Sequence, residues 1–147
     1  MGYGLPAAIG AKVAVPSKTV INFTGDGSIL MNIQELMTAV ENKVAVVNII
    51  LNNQFLGMVR QWQTFFYDKR YSSTDLSVQP DFVRLVGSFG GRGFRVKPKD
   101  EFDKALKEAV ESDTVCMIDV QVDRFENVLP MVPAGGTLYN MMLEYKE

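Results

Sequence analysis

Two apolar runs of β type, separated by a segment of helical length, constrain the fold of this chain more than any other feature. The first run contains Val20, Ile21 and Phe23, and the second extends from Val44 to Leu51. This order predicts a βαβ unit with parallel strands. The second run is apolar at nearly every position, as expected for a strand that is covered on both faces. We therefore predict the α/β class, with a doubly wound, mostly parallel sheet and helices on both faces.

The remaining segments fit the same fold class. Pro6 suits the first turn of a helix, and a compact apolar stretch follows it. Apolar residues recur at helical spacing or in short β-type runs along the rest of the chain. The patterns predict strands at 19–24, 44–51, 94–96 and 115–120, a loop at 25–28, and helices at 31–40, 81–89 and 101–112.

The end of the chain differs in composition from the part before it. It contains two prolines and a Gly-Gly pair, together with apolar residues. These apolar residues indicate that the segment packs against another surface. We predict that residues 126–147 cross the surface as an arm, and we call this segment the arm throughout. Residues 1–125 are assigned to the α/β unit, so that the arm belongs to the same domain.

A polar cluster follows each of the first two β-type runs. Gly25-Asp26-Gly27-Ser28 follows the first, and Asn52-Asn53 follows the second. In a parallel sheet both clusters would lie at the carboxyl ends of the strands, where open α/β sheets bind ligands. Glycine allows close approach of the backbone, and the following helix start suits phosphate. Carboxylate and amide oxygens suit Mg²⁺. The pattern indicates a site for magnesium and a diphosphate, although two tight turns would need the same residues.

Composition excludes several classes of chemistry. The chain has 147 residues, of which 47% are apolar, enough for one domain with a sizeable core. It has no histidine, which excludes Ser-His-Asp and Cys-His catalysis and the usual zinc sites. Its single cysteine, Cys116, lies in an apolar run and is interpreted as a buried hydrophobe. Any chemistry must therefore depend heavily on a cofactor.

The net charge of −2 gives no general attraction to nucleic acid. The sequence shows no apolar run of membrane-spanning length and no signal-peptide pattern. We therefore predict no nucleic-acid partner, no membrane partner and a cytoplasmic location. The segment Gly2–Ala7 fits the degenerate G-x-G-x-x-G/A dinucleotide fingerprint, but no strand precedes it in this chain. A nucleotide-binding domain remains an alternative on that basis.

The segment 56–71 is rich in aromatic residues. Met58, Trp62, Phe65 and Phe66 follow helical spacing, which is more typical of core packing than of a cofactor site. Basic residues interleaved with aromatics also occur in proteins that bind single-stranded nucleic acid. The acidic net charge argues against that function.

GDG followed by NN about two dozen residues later resembles the motif of thiamine-diphosphate enzymes. Five longer segments resemble the sequence of the acetolactate synthase (acetohydroxyacid synthase) catalytic subunit. They are GYGLPAAIGA, GDGS-x-x-MNIQEL-x-TAVEN, LNN-x-x-LGMVRQWQ, FYDKRYS and ENVLPMVP-x-GG. The resemblance covers nearly the whole chain and corresponds to the C-terminal, thiamine-diphosphate-binding domain of that family. One departure is Ser73, where the family usually has histidine.

The resemblance implies a function. Acetolactate synthases decarboxylate pyruvate and transfer the two-carbon unit to a second pyruvate or to 2-ketobutyrate, which begins branched-chain amino-acid biosynthesis. The implied cofactors are thiamine diphosphate and Mg²⁺, with FAD in the full subunit but outside this chain. The implied partners are the remaining domains of the subunit, a second copy or a tetramer of the full subunit, and a possible regulatory subunit.

The resemblance also implies roles for individual residues. Mg²⁺ would take the side chains of Asp26 and Asn53 and the backbone carbonyl of Phe55. Met58 and Trp62 would border the substrate pocket. No catalytic residue is implied within this chain. The cofactor-binding residues implied are Met1, Gly25, Asp26, Gly27, Ser28, Asn53, Phe55, Gly57 and Met58.

The glutamate that faces the cofactor's pyrimidine ring in this family has no counterpart here. We therefore expect the chain alone to be inactive and to bind the cofactor weakly. Two alternatives remain besides the nucleotide-binding one. One is the same domain of another thiamine-diphosphate decarboxylase, oxidase or carboligase, and the other is a non-catalytic interaction module.

Overall fold

A computed structural model describes residues 1–97 and 99–145 of the chain. Four strands form one sheet, in the spatial order β1-β2-β4-β3. The strands are β1 (Ile21–Gly25), β2 (Val47–Asn52), β3 (Arg92–Val96) and β4 (Cys116–Gln121). The helices are α1 (Gly4–Ala14), α2 (Asp26–Ile29), α3 (Glu35–Glu41), α4 (Gly57–Phe66), α5 (Phe82–Ser88) and α6 (Lys99–Val110), with 3-10 turns at Leu30–Asn32 and Leu138–Asn140.

All three strand pairings are parallel, which confirms the predicted fold class. The first two strands are adjacent, with Ile21 opposite Val47 and Gly25 opposite Leu51. The predicted βαβ unit is therefore correct, and the carboxyl ends of β1 and β2 lie side by side. A polar group that follows one strand can reach a polar group that follows the other.

Each face of the sheet has its own apolar core. On one face, side chains of α1, α2, α3 and α5 pack against Val46, Ile50 and Met117. On the other face, Ala105 and Ala109 of α6 belong to a smaller cluster with strand residues that include Cys116. The Cys116 side chain is buried, as predicted. The helices thus cover both faces, as the sequence predicted.

The prediction of a loop at 25–28 and one continuous helix at 31–40 was wrong. Gly25 ends β1, helix α2 begins at Asp26, and a 3-10 turn separates it from α3. Contacts with the first residues of the chain explain the bend. Gly2 N–H donates to Ser28 Oγ over 3.0 Å, and Asn32 Nδ2 donates to Gly2 O over 2.7 Å. These bonds hold the first helical turn against the N-terminal segment.

Helix α4 is buried on its polar face, contrary to the interpretation of its apolar residues as core. Arg60 and Gln61 are only 2% and 1% exposed, whereas Met58 and Trp62 are 49% and 48% exposed. The reason is that α4 packs against the arm, whose backbone groups need hydrogen-bond partners. The spacing of apolar residues in α4 does not show that the helix packs against the arm.

The arm is described as far as residue 145, and residues 146 and 147 of the predicted arm lie outside the described residues. Met131 and Met142 form an antiparallel bridge within it. Near the end, the Tyr145 ring stacks on Phe65 of α4 with centroids 4.4 Å apart. None of the helices formed by residues 1–97 and 99–145 combines the length and the apolar character that crossing a membrane requires.

Candidate functional site

A cleft of about 310 Å³ lies at the carboxyl ends of β1 and β2. We call it the strand-end cleft. All nine residues that the sequence assigned to cofactor binding line it, together with residues that the sequence did not assign. The additional lining residues are Leu51, Leu56, Val59, Gln61, Glu126 and Val128.

Asp26 is the most unusual group in the strand-end cleft. Asp26 is the first residue of α2 and is only 1% exposed. Its Oδ2 has no hydrogen-bond partner. Burial raises the pKa of the Asp26 carboxyl above its ordinary value, and the charge of Asp119 raises it further. Backbone N–H groups of Gly27, Asp26 itself and Gln54 act in the opposite direction. The contact with Gln54 joins the ends of the two strands directly.

Asn53 also lines the cleft and lies in the tight turn that follows β2. Its Oδ1 accepts a hydrogen bond from Phe55 N–H over 3.0 Å, and Gln54 between them has a left-handed φ of 57°. A carbonyl oxygen has two lone pairs, so Asn53 Oδ1 retains one acceptor position. The turn is held from outside, because Phe55 bridges to Asp75 and lies beneath the Arg124 guanidinium, 4.4 Å from the ring centroid.

Asn52 has a different environment from its neighbour Asn53. It is 2% exposed, its Nδ2 donates to Asp119 Oδ1 over 2.9 Å, and its Oδ1 accepts from Gln79 Nε2 over 2.9 Å. Arg95 Nε donates to the other oxygen of Asp119 over 3.3 Å. The Asn-Asn pair therefore supplies one side chain to a buried network and one to the cleft.

Two glycines give the strand-end cleft its shape. A Cβ built on Gly25 would meet no atom within 4 Å, so this position opens onto free space. A Cβ on Gly27 would lie 2.7 Å from Leu56 Cδ2 and 2.9 Å from Leu76 Cδ1, so that glycine allows the first turn of α2 to approach the loop after β2. Met1 also reaches this region, because its Cε is 3.6 Å from the same Gly27 position.

The structure does not bring Met58 and Trp62 to one cavity. Met58 lines the strand-end cleft, whereas Trp62 lines a groove of about 180 Å³ between α4 and the arm, with Phe66, Tyr67 and residues 131–134. Trp62 also borders a second, more open groove on the outer side of α4. Val59 lines both that groove and the strand-end cleft, so the cavities are neighbours.

Sequence reasoning missed the contribution of the arm. Glu126 and Val128 line the strand-end cleft, although they lie about a hundred residues after Asp26 in the chain. The signal that pointed in this direction was the set of apolar residues in a proline-rich tail, which indicated that the arm covers something. It did not indicate what the arm covers.

The oxygens of the strand-end cleft fit a hard cation bound to a diphosphate. Among residues 1–97 and 99–145 no group of three or more His, Cys, Asp or Glu could hold a metal ion. A site built on one carboxylate therefore needs other oxygens. Mg²⁺ commonly takes one or two protein carboxylates and fills its octahedron with phosphate and water. The unpartnered Oδ2 of Asp26 and the nearby amide oxygen of Asn53 match that donor set.

The fold is that of a known class. The family model for the thiamine pyrophosphate enzyme C-terminal TPP binding domain matches residues 1–120, and the chain belongs to this family. Thiamine pyrophosphate is thiamine diphosphate under another name. The curated relatives narrow the comparison to acetolactate synthase large subunits.

Two such relatives span nearly all of the chain. Acetolactate synthase isozyme 2 large subunit of Escherichia coli (strain K12) is 45% identical over 142 residues, covering 97% of this chain and 26% of that subunit. The large subunit of Parasynechococcus marenigrum (strain WH8102) is 50% identical over 143 residues, covering 97% of this chain and 23% of that subunit. The chain thus spans about a quarter of the length of the curated relatives it matches.

A solved structure gives the same family from its fold. The Rhodococcus jostii RHA1 thiamine diphosphate-dependent 4-hydroxybenzoylformate decarboxylase matches with a TM-score of 0.79 and 36% sequence identity. The match covers 84% of this chain and 23% of that chain.

Proposed function

We propose that the strand-end cleft binds the diphosphate of thiamine diphosphate through Mg²⁺, and that the chain is this part of an acetolactate synthase catalytic subunit. The observation that carries the proposal is the buried, unpartnered Oδ2 of Asp26 in the strand-end cleft. A buried carboxylate oxygen without a partner is costly unless something else compensates its charge. A divalent cation in the cleft supplies that compensation.

Each residue then has a definite task. Asp26 and Asn53 hold Mg²⁺ with their side-chain oxygens, and Phe55 contributes its backbone carbonyl. Gly25, Gly27, Ser28 and Gly57 allow the diphosphate to approach the backbone. The last two of the nine assigned residues, Met1 and Met58, cover the cofactor with apolar surface. When bound, thiamine diphosphate supplies the electron sink that decarboxylation of a 2-keto acid requires, so the chain's task is positioning.

The choice of acetolactate synthase over other enzymes of the family is supported by degree of similarity. Identity to the acetolactate synthase subunits is 45% and 50%, compared with 36% to the 4-hydroxybenzoylformate decarboxylase. We extend the proposal accordingly to pyruvate as first substrate and to pyruvate or 2-ketobutyrate as second. Met58 and Trp62, which line two neighbouring cavities, are proposed to border the substrate pocket from those two sides. FAD, the other domains of the subunit, its self-assembly, a regulatory subunit and a cytoplasmic location belong to the same proposal.

Calorimetry with three ligands tests the cofactor assignment. With Mg²⁺, thiamine diphosphate and inorganic diphosphate are both expected to bind, because this chain holds the diphosphate half of the cofactor. Thiamine without phosphate is expected to give no heat of binding, and chelation of Mg²⁺ is expected to abolish the signal. Binding of ADP or NAD that does not depend on Mg²⁺ or Asp26 would instead favour the nucleotide-binding alternative.

Gly25→Ala separates ligand binding from folding. The new methyl group enters free space in the strand-end cleft, and the φ of −94° at this position is ordinary for alanine. The free energy of unfolding is expected to change by less than about 0.5 kcal/mol. Affinity for thiamine diphosphate is expected to fall about tenfold, equivalent to ~1.4 kcal/mol, because the methyl group occupies ligand space.

The matched control for Gly25→Ala is Gly87→Ala. Gly87 also has no atom within 4 Å of a built Cβ, but it lies in α5 and lines no part of the strand-end cleft. The affinity of the Gly87→Ala variant for thiamine diphosphate is expected to equal that of the wild type. Equal affinities for the wild type and Gly25→Ala would contradict the assignment of this space to the ligand.

A further inference from the structure

Gln61 of α4 pairs with both backbone groups of Val128 in the arm. Its Oε1 accepts from Val128 N–H over 2.7 Å, and its Nε2 donates to Val128 O over 3.0 Å. The same Nε2 is 3.2 Å from Met131 Sδ. The side chain of Gln61 is 1% exposed, so these bonds are shielded from water.

A carboxamide is suited to this contact because it carries a donor and an acceptor side by side, as a backbone peptide group does. In a buried position, loss of one partner leaves the other group unsatisfied, at a cost larger than the net value of one hydrogen bond. The pairing therefore fixes the position of Val128 more strictly than apolar packing would.

The residue before Gln61 holds the preceding part of the arm. Arg60 is 2% exposed, and its Nη1 donates to Asn127 Oδ1 over 2.6 Å. Its Nη2 donates to the backbone oxygen of Glu126 over 2.7 Å. Three consecutive residues of the arm are thus held by two consecutive residues of α4.

The held segment forms part of the strand-end cleft. Glu126 and Val128 line the same cleft as Asp26 and Asn53, and the first turn of α4 lines it as well. Helix α4 therefore borders the cleft with its first turn and with Gln61, and Gln61 also holds arm residue Val128, which is another part of the cleft wall. A displacement of Val128 would open the cleft without any change at Asp26.

We propose that Gln61 is a positioning residue that fixes arm residues 126–128 as a wall of the cofactor site, an inference that rests on the proposed function of the cleft. Gln61 acts through the arm backbone. Its loss lowers affinity for Mg²⁺–thiamine diphosphate because the wall is no longer held in place before the cofactor arrives. Saturating cofactor restores the wall, since binding and arm docking stabilise each other.

The test compares Gln61→Leu with the wild type by amide hydrogen exchange of Val128 in the absence of cofactor. Exchange is expected to accelerate roughly tenfold, because the N–H loses its buried acceptor. Calorimetry is expected to show a Kd for Mg²⁺–thiamine diphosphate raised by roughly tenfold. Added cofactor at saturation is expected to return the exchange rate towards that of the wild type. Gln61→Met, which resembles glutamine in shape, replaces Gln61→Leu if the latter does not fold.

Gln63→Leu is the matched control on the same helix. Gln63 also makes two side-chain hydrogen bonds, but to Ser72 O and Thr74 Oγ1 and not to the arm. It is expected to leave Val128 exchange unchanged. Emission of Trp62, the chain's only tryptophan, gives an independent signal of arm position, because Trp62 faces residues 131–134.

Unchanged Val128 exchange in Gln61→Leu would overturn the inference, whatever the affinity. Faster exchange with unchanged cofactor affinity would also overturn it, because the arm would then not be a working wall of the site. If the wild type itself binds no cofactor, the proposed function fails. The exchange measurement then decides separately whether Gln61 positions the arm.

Discussion

Replacement of Asp26 by asparagine is expected to abolish Mg²⁺-dependent binding of thiamine diphosphate while making the ligand-free protein more stable. The loss follows from removal of the Asp26 carboxylate, whose buried Oδ2 has no hydrogen-bond partner. Loss of one member of a close charge pair costs about 2–5 kcal/mol, so the affinity is expected to fall by roughly 30-fold or more. Calorimetry with Mg²⁺ and thiamine diphosphate measures this change.

The gain in stability has a separate cause. Without ligand, Asp26 is a buried carboxylate with a raised pKa, and a neutral amide of the same shape carries no such desolvation cost. The free energy of unfolding is expected to rise by about 1–3 kcal/mol at neutral pH. Because the folded-state pKa is raised, the ionised carboxylate destabilises the fold above that pKa, and below the unfolded-state pKa the side chain is neutral in both states. The gain is therefore expected to shrink as pH falls.

Urea unfolding of the wild type and Asp26→Asn at several pH values checks this second expectation. Ser28→Ala is a suitable comparison, because it alters the same turn without removing a charge. If Asp26→Asn were less stable than the wild type at every pH, the carboxylate would be a structural group. The proposal of a cation site would then lose its main support.

Gly93→Ala is expected to lower the stability of the fold more than alanine at Gly25, Gly27 or Gly87 does. A Cβ at this position of β3 would lie 2.6 Å from Val83 Cα and 2.8 Å from Val83 O, in the backbone of α5. Backbone atoms cannot rotate away as a side-chain end does, so helix and strand must separate. The expected cost is about 3 kcal/mol, at the upper end of the usual range for overpacking.

Gly87→Ala, in helix α5 of the same α5–β3 pair, is expected to raise the stability of the fold and not to lower it. Gly87 lies within α5 with open space around its Cα, so alanine is expected to raise the free energy of unfolding by about 0.5–1 kcal/mol. Urea unfolding at constant m-value gives both numbers. Equal stability of the two variants would contradict close packing of the α5 backbone on Gly93 of β3.

The parts of the molecule that could be predicted from sequence are those governed by local pattern and by strand direction. Parallel strands that end together must place Asp26 and Asn53 at one edge of the sheet, and the strand-end cleft contains both. The buried apolar run of β2 was recognisable for the same reason, since a strand covered on both faces has no polar alternation.

The parts that could not be predicted depend on contacts between distant segments. The buried side of α4 is polar because Gln61 and Arg60 meet arm residues more than sixty positions later. The spacing of the apolar residues predicted that the opposite face of α4 is buried. That spacing contains no information about a polar partner. The bend between α2 and α3 likewise depends on Gly2, which lies far from Asn32 in the chain.

The two asparagines at the end of β2 make the length of that strand critical. Their side chains leave the chain in opposite directions, one towards Asp119 and one towards the cleft. Removing or adding one residue earlier in the strand would reverse these directions. The Asn52 amide would then point towards the cleft and the Asn53 amide towards the buried network. A change of one residue in the length of β2 is therefore expected to disrupt both the buried network of Asn52 and the cleft.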